Sequence, residues 1–350
     1  MSLKKIKLIG ISIIVLLLIS VLMAMGFGAV SISPLQILAI LTKNAGVKMN
    51  VSYTTVQESV LMAIRLPRVI MAVLIGSSLS VSGAAMQGLF RNPLADPGLM
   101  GISSGASLAA VAAIVLGIHS NTFFSAVLGV YALSAVTFLG ALITAVLVYK
   151  IAQSGGKTII ATMLLAGIAI NSLAGACTGL FTYAANDVQL RSITFWMLGS
   201  LGGASWSNVV GILPFTLLPV LILPRMAKSL NAFSLGEANA AHLGTNTELV
   251  KKTVVLLTAL CVGASVAVAG VIGFIGLVVP HIIRLTIGPD NRHLLLLAPV
   301  LGALLLVSAD LAARTLFIPT ELPIGIITSL IGAPVFLYIV IKELRIQKSL

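Results

Sequence analysis

Gly155-Gly156-Lys157-Thr158 spells the end of a phosphate-binding loop, in which backbone amides cradle phosphate oxygens and the lysine reaches the terminal ones. The full pattern needs a glycine five residues ahead of Gly156, and Ile151 stands there. The stretch also follows a long apolar run instead of a strand, so it reads as a connecting loop. Metal chemistry finds no better footing. His119, His242, His281 and His293 are scattered and far from Cys177 and Cys261, and no spacing resembles a closed coordination site. Neither a cofactor nor a resident metal is expected. A transition metal carried by this chain would have to travel already wrapped in a chelator.

The remaining candidates are charges at the edges of apolar runs, where an ionisable group is costly and therefore informative. Asp310 and Arg314 stand four residues apart and can pair on one helix face, with Asp310 holding Arg314 in place. In Arg65-Leu66-Pro67-Arg68 two cations share one face of a helix start, and Pro67 suits a first helical turn. Asn92-Pro93-Leu94-Ala95-Asp96-Pro97-Gly98 reads as a rigid double-proline corner. The longest polar segment runs from Arg225 to Lys251. Within it Glu237 to Gly244 has helix formers closed by a glycine, the pattern of a short surface helix and a natural docking element.

The elements that must position these residues are membrane spans. Of 350 residues 59% are apolar and 9% charged, against about 45–50% and about 25% in soluble domains. A span takes roughly 20 apolar residues. Charges and Pro/Gly punctuation place ten, at about 8–28, 65–88, 99–118, 123–149, 158–183, 206–224, 252–270, 272–287, 294–313 and 323–341. The fold class is thus an all-α integral membrane protein, a single domain over 1–350, retaining its first span. The net charge of +12 would suggest nucleic acid in a soluble chain. Here the cations sit between the apolar runs, so the partner is the lipid bilayer and nucleic acid is excluded. With both termini cytoplasmic, fifteen of the 21 Lys and Arg fall inside, as the positive-inside rule requires. Arg65, Arg68 and Arg314 then lie outside, against the bias, which points to an acidic partner there. The two cysteines lie in separate apolar runs and read as core residues.

Gly76 to Gly83 aligns with Gly263 to Gly270, and the same offset pairs Pro93 with Pro280. In this topology the two copies run in opposite directions, an inverted repeat of the kind transporters use.

Arg65-Leu-Pro-Arg68, Gly83 to Gln87, Arg91-Asn-Pro-Leu-Ala-Asp-Pro97 and Gly101-Ile-Ser-Ser-Gly-Ala106 resemble the permeases of ABC importers for ferric siderophores, haem and cobalamin. So do Gly273-Phe-Ile-Gly-Leu-Val-Val-Pro-His281 with Arg284, Ala309-Asp310 with Arg314, Glu321-Leu-Pro-Ile-Gly325 and Gly332-Ala-Pro334. The resemblance covers about Leu61 to Leu344. It implies alternating access by ten helices per subunit, a second permease subunit, identical or paralogous, two cytoplasmic ATP-binding subunits and an extracytoplasmic substrate-binding protein. It further implies that Arg65, Arg68 and Arg314, with Asp310 in support, receive glutamates of the binding protein. The segment at about 230–248 would be the coupling element, with Glu237, Ala238, Ala240, Ala241, Leu243 and Gly244 on the ATPase; Asn239 interrupts the Glu-Ala-Ala spelling used by many other importers. An iron–siderophore chelate is the expected substrate, haem or cobalamin the alternatives. An ion-coupled carrier would place a carboxylate or histidine at mid-membrane, and the acids here lie at span ends or in loops. A non-transporting receptor would not need the coupling segment.

Overall fold

The computed structural model describes residues 3–44, 46, 49–117, 129–317 and 320–348. Lys48, His119, the expected end of span three and the expected start of span four lie outside these residues. The described chain is helical apart from one two-residue hairpin and short connections. Its helices are α1 (Leu3–Gly26), α2 (Pro34–Asn44), α3 (Thr55–Phe90), α4 (Ile102–Val115), α5 (Ala132–Ile151), α6 (Ile160–Tyr183) and α7 (Asp187–Leu198). They continue with α8 (Trp206–Ile222), α9 (Ala227–Ser234), α10 (Glu237–His242), α11 (Thr247–Ala269), α12 (Ile275–Ile287), α13 (Asn291–Thr315) and α14 (Ile324–Lys348). Strands β1 (Gln153–Ser154) and β2 (Lys157–Thr158) form the hairpin.

Each expected span meets a helix, and seven described helices are long and apolar enough to cross a membrane: α1, α3, α5, α6, the helix beginning at α8, α11 and α13. Four others, Pro34–Lys43 of α2, α4, α12 and Ile324–Tyr338 of α14, are shorter apolar helices. α2 and α7 were not expected. Neither reaches span length, and α7 carries Asp187, Gln189 and Arg191, so a search for 20-residue apolar runs passes over both.

α3 is the hub. It packs against α13, α11, α12 and α8, and 78% of its most apolar stretch is buried, against 17% for α1. Its core face is made of small residues that bring backbones into contact. A Cβ added at Gly83 would overlap the Gly276 carbonyl of α12, and Gly76 and Gly302 of α13 would each overlap the other's carbonyl. Ser77 and Ser80 donate across the seam to the Pro299 and Ala298 carbonyls at 3.0 and 2.7 Å. This is association by small residues and interhelical hydrogen bonds, as lipid-embedded helices require. Gly105 and Gly167 likewise permit close helix approach, whereas Gly175 and Gly179 face open space.

The helix does not start at Arg65, as the sequence suggested. It starts at Thr55, behind a capping box with Gln57, and Pro67 lies inside it. Proline lacks the N–H and crowds the preceding turn. The chain accommodates it with a turn of π-helix over Val60–Arg65, in which the Leu66 N–H reaches the Leu61 carbonyl. The freed Met62 carbonyl accepts the Trp206 indole N–H at 2.9 Å.

Spans seven and eight are divided at Gly270, which caps α11 at φ +69°, and the chain stays irregular to Phe274. Phe274 holds the left-handed conformation at φ +68° because its ring lies over Gly332 of α14, where no side chain intervenes. This break lines a cavity of about 310 Å³ with Asp96, Ser103 and Val262; irregular backbone at membrane depth is tolerated where it borders such a cavity. Of the repeat, Gly76–Gly83 lies inside α3 and Gly263–Gly270 at the end of α11, and these helices pack together. Pro93 sits in a turn and Pro280 inside α12.

Candidate functional site

The Ser77, Ser80, Gly76 and Arg68 contacts show that α3 and α13 run antiparallel, so residues near Arg68 and residues near Phe90 mark opposite ends of the bundle. About 30 Å of helix separates Arg68 from Gly88. Each end carries a cluster of charge.

At the first end the arginines converge, but they are not exposed. Arg65 and Arg68 are 4% and 7% accessible, and the Arg314 side chain is equally covered. Burying guanidinium groups is costly unless every donor is answered, and the partners are specific. Arg68 grips Asp310 through Nε and Nη2, both at 2.9 Å to Oδ1, and its Nη1 reaches Glu321 at 2.9 Å. Arg65 donates to the Met25 and Gly26 carbonyls at 2.6 and 2.9 Å and also to Val30. Arg314 donates to the Ala24 carbonyl. Two cations thus cap the open carbonyls at the C-terminus of α1, where the helix dipole favours positive charge.

Two expectations need correction here. Asp310 is chiefly the partner of Arg68 from another helix; Arg314, one turn along the same helix, stands 3.8 Å away. The three arginines do not form an open patch, because α1 supplies carbonyls that the sequence alone could not place beside them. Glu321, at 48% side-chain exposure, is the accessible member of the cluster. Three arginines against two carboxylates leave a positive excess at this end.

At the other end, α9 sits beside the start of α13 and the end of α3, and α10 packs against α9 and α11. Asn231 of α9 donates to Asp290 at 2.6 Å and accepts from Asn291 at 2.8 Å. Burial pushes the Asp290 carboxyl upward, but hydrogen bonds from the Arg292 N–H and Asn231, with His293 and Arg292 nearby, hold it below the usual carboxylate range. α10 follows Gly236 and closes at Gly244, φ +81°, with Thr245 N–H returning to the Ala240 carbonyl at 3.0 Å. The expected short helix with its glycine terminus is present.

Of its residues, Ala238, Ala241, Leu243 and Gly244 are exposed, with Leu235 beside them. Leu235 and Leu243 are each more than 60% accessible. Ala240 is fully buried, so it anchors the helix and cannot also meet a partner. Glu237 is engaged by Lys251 of α11, a lysine with no accessible side chain. Lys251 also donates to Glu248 at 2.8 Å and to the Thr158 carbonyl at 2.6 Å. Glu248 accepts the Thr158 N–H and O–H at 3.1 and 2.9 Å. The phosphate-loop lookalike is therefore a β-hairpin whose Gly155-Gly156 turn has both φ angles positive. Sequence reasoning passed over Glu321, Glu248 and Lys251 as site residues; the i, i+3 spacing of the last two was the visible signal.

Comparison with known proteins agrees along the chain. Residues 16–342 match the FecCD transport family. The hemin transport system permease protein HmuU of Yersinia pestis is 47% identical over 287 residues, covering 82% of this chain and 84% of its own. The vitamin B12 import system permease protein BtuC of Vibrio cholerae is 40% identical over 293 residues, covering 83% and 86%. Among solved structures, an inward-facing conformation of a metal-chelate type ABC transporter matches at TM-score 0.82 and 30% identity, covering 95% of this chain and 99% of the other.

Proposed function

The chain belongs to the FecCD transport family, the permeases of ABC importers, and we propose that it forms the translocation pathway for an iron chelate with a second, identical or paralogous, permease. In this reading two separate ATP-binding subunits engage the α10 end, and an extracytoplasmic substrate-binding protein engages the Arg68 end. The observation that carries it is that unlike surfaces stand at opposite ends of one helix bundle. A positive cluster rimmed by Glu321 stands at one end, and an apolar short helix, Leu235, Ala238, Ala241 and Leu243, at the other. The excess charge attracts acidic groups of a partner, and the exposed leucines fit a groove. Docking by Arg65, Arg68 and Arg314 then acts through the field and the rim of the cluster, since their guanidinium groups are already bonded within the chain.

An iron–siderophore chelate remains the first substrate reading, and the 47% identity to a hemin permease favours haem as the second. Uptake of radiolabelled ferric siderophore, haemin and cobalamin by cells with and without this permease separates the readings. Equilibrium dialysis of the purified chain with nucleotide and with ferric iron tests the division of labour. Tight nucleotide binding by this chain, or iron entering without its chelator, would overturn the importer mechanism in favour of an ion-coupled carrier.

A further inference from the structure

A fully buried lysine in the middle of three carbonyl and carboxylate acceptors is an expensive way to pack a helix. An apolar side chain of similar volume at Lys251 would stabilise the fold as well or better. What the lysine adds is connection. Its three N–H donors go to three different places: Glu237 on α10, Glu248 on its own helix α11, and the Thr158 carbonyl of the hairpin that joins α5 to α6. α11 and α5 also share an apolar seam, but the hairpin and α10 themselves add little apolar contact. The hairpin residues Gln153 to Lys157 are all exposed, and α10 has Ala240 as its sole buried residue. α10 is also too short to hold its place by its own backbone hydrogen bonds, and no side chain caps its first turn.

We propose that Lys251 is the positioning residue through which displacement of α10 is passed to the spans, pulling α11 directly and α5 and α6 through the hairpin. The inference rests on the reading of α10 as the ATPase contact. Glu248 keeps the lysine and the hairpin in register from the far side, because the same carboxylate takes the Thr158 N–H and O–H. A push on α10 therefore reaches α11 and the α5–α6 pair at once. Without the lysine, α10 is left with its contact to α9 and the burial of Ala240.

The test uses the assembled importer, permease with ATPase and binding protein, in proteoliposomes, and reads ATP hydrolysed per chelate imported. Lys251→Met should raise that ratio tenfold or more. Glu237→Ala, on a half-exposed carboxylate whose loss strands no buried charge while Glu248 remains, should raise it in the same direction and covers the case in which Lys251→Met fails to fold. A purely structural lysine would lower hydrolysis and import together at a constant ratio, and that result overturns the inference. Ala241→Glu separates the two claims. If it uncouples while both other variants keep the normal ratio, Lys251 is not the link; if it leaves assembly and ratio normal, α10 is not the ATPase contact.

Discussion

Replacing Asp310 by asparagine keeps the shape of the buried cluster and removes one charge. Asparagine offers one acceptor where the carboxylate offered two oxygens, and its amide hydrogens face a guanidinium that can only donate. The native carboxylate takes three bonds from Arg68 at 2.9 to 3.1 Å with 2% side-chain exposure. Breaking a buried ion pair from one side costs about 3–5 kcal/mol. Arg68 keeps Glu321 in the variant, so the expected loss is at the lower end, about 3 kcal/mol. Glu321→Gln alters the same arginine from a side chain that is 48% exposed, and it should cost no more than about 1 kcal/mol, as exposed pairs do. The double change Arg68→Met with Asp310→Leu removes the pair altogether and should recover most of the loss, so the two single costs will not add. Unfolding in mixed detergent–SDS micelles, followed by tryptophan fluorescence and circular dichroism, gives the differences for these three variants and for Arg68→Met and Asp310→Leu alone. An Asp310→Asn cost no larger than that of Glu321→Gln, or a double variant equal to the sum of its singles, would refute the reasoning.

Three further outcomes follow from the packing. Gly83→Val should prevent α3 and α12 from closing, with a loss of about 3 kcal/mol or more, since a backbone carbonyl cannot move aside as a side chain can; folded yield and the same micelle titration measure it. Trp206→Phe leaves the Met62 carbonyl without its donor and should cost about 1 kcal/mol while import is retained. Ala240→Glu and Ala241→Glu, adjacent and chemically identical, should differ in kind: the first buries a charge and lowers folded yield, the second stays folded and loses coupling between hydrolysis and uptake.

The long spans were legible because hydrocarbon leaves the backbone one economical solution, and a run of apolar residues announces it. The short helix at Glu237–Gly244 was legible for a similar local reason, a glycine able to take positive φ after a run of helix formers. What stayed hidden depended on neighbours distant in sequence. Arg65 and Arg314 looked like surface charges because the carbonyls that receive them come from the end of α1 and the chain just after it. Asp310 looked like the partner of Arg314 because i, i+4 spacing is visible and a residue 242 positions away is not. The π-turn ahead of Pro67 was missed because the proline was read as a start signal, which holds only when nothing helical precedes it.

The two charge clusters share a construction that bears on how a permease of this kind can change shape. In each, a buried cation on a long helix, Arg68 on α3 or Lys251 on α11, holds two carboxylates. The more exposed carboxylate belongs in each case to a peripheral segment: Glu321, 48% exposed, just before α14, and Glu237, 38% exposed, on α10. The other, Asp310 or Glu248, belongs to a long helix of the bundle. If the peripheral carboxylate lets go, the cation still has a partner and the released carboxylate is near enough to the surface to be hydrated, so the heavy penalty of an unpaired buried charge is avoided. Losing Asp310, 2% exposed, has no such relief, whereas Glu248 at 33% is nearly as open to water as Glu237. Segments at both ends of the bundle are therefore held by bonds that can be exchanged at the cost of a surface ion pair, while at the Arg68 end α3 and α13 are joined beneath them by a buried bond that cannot.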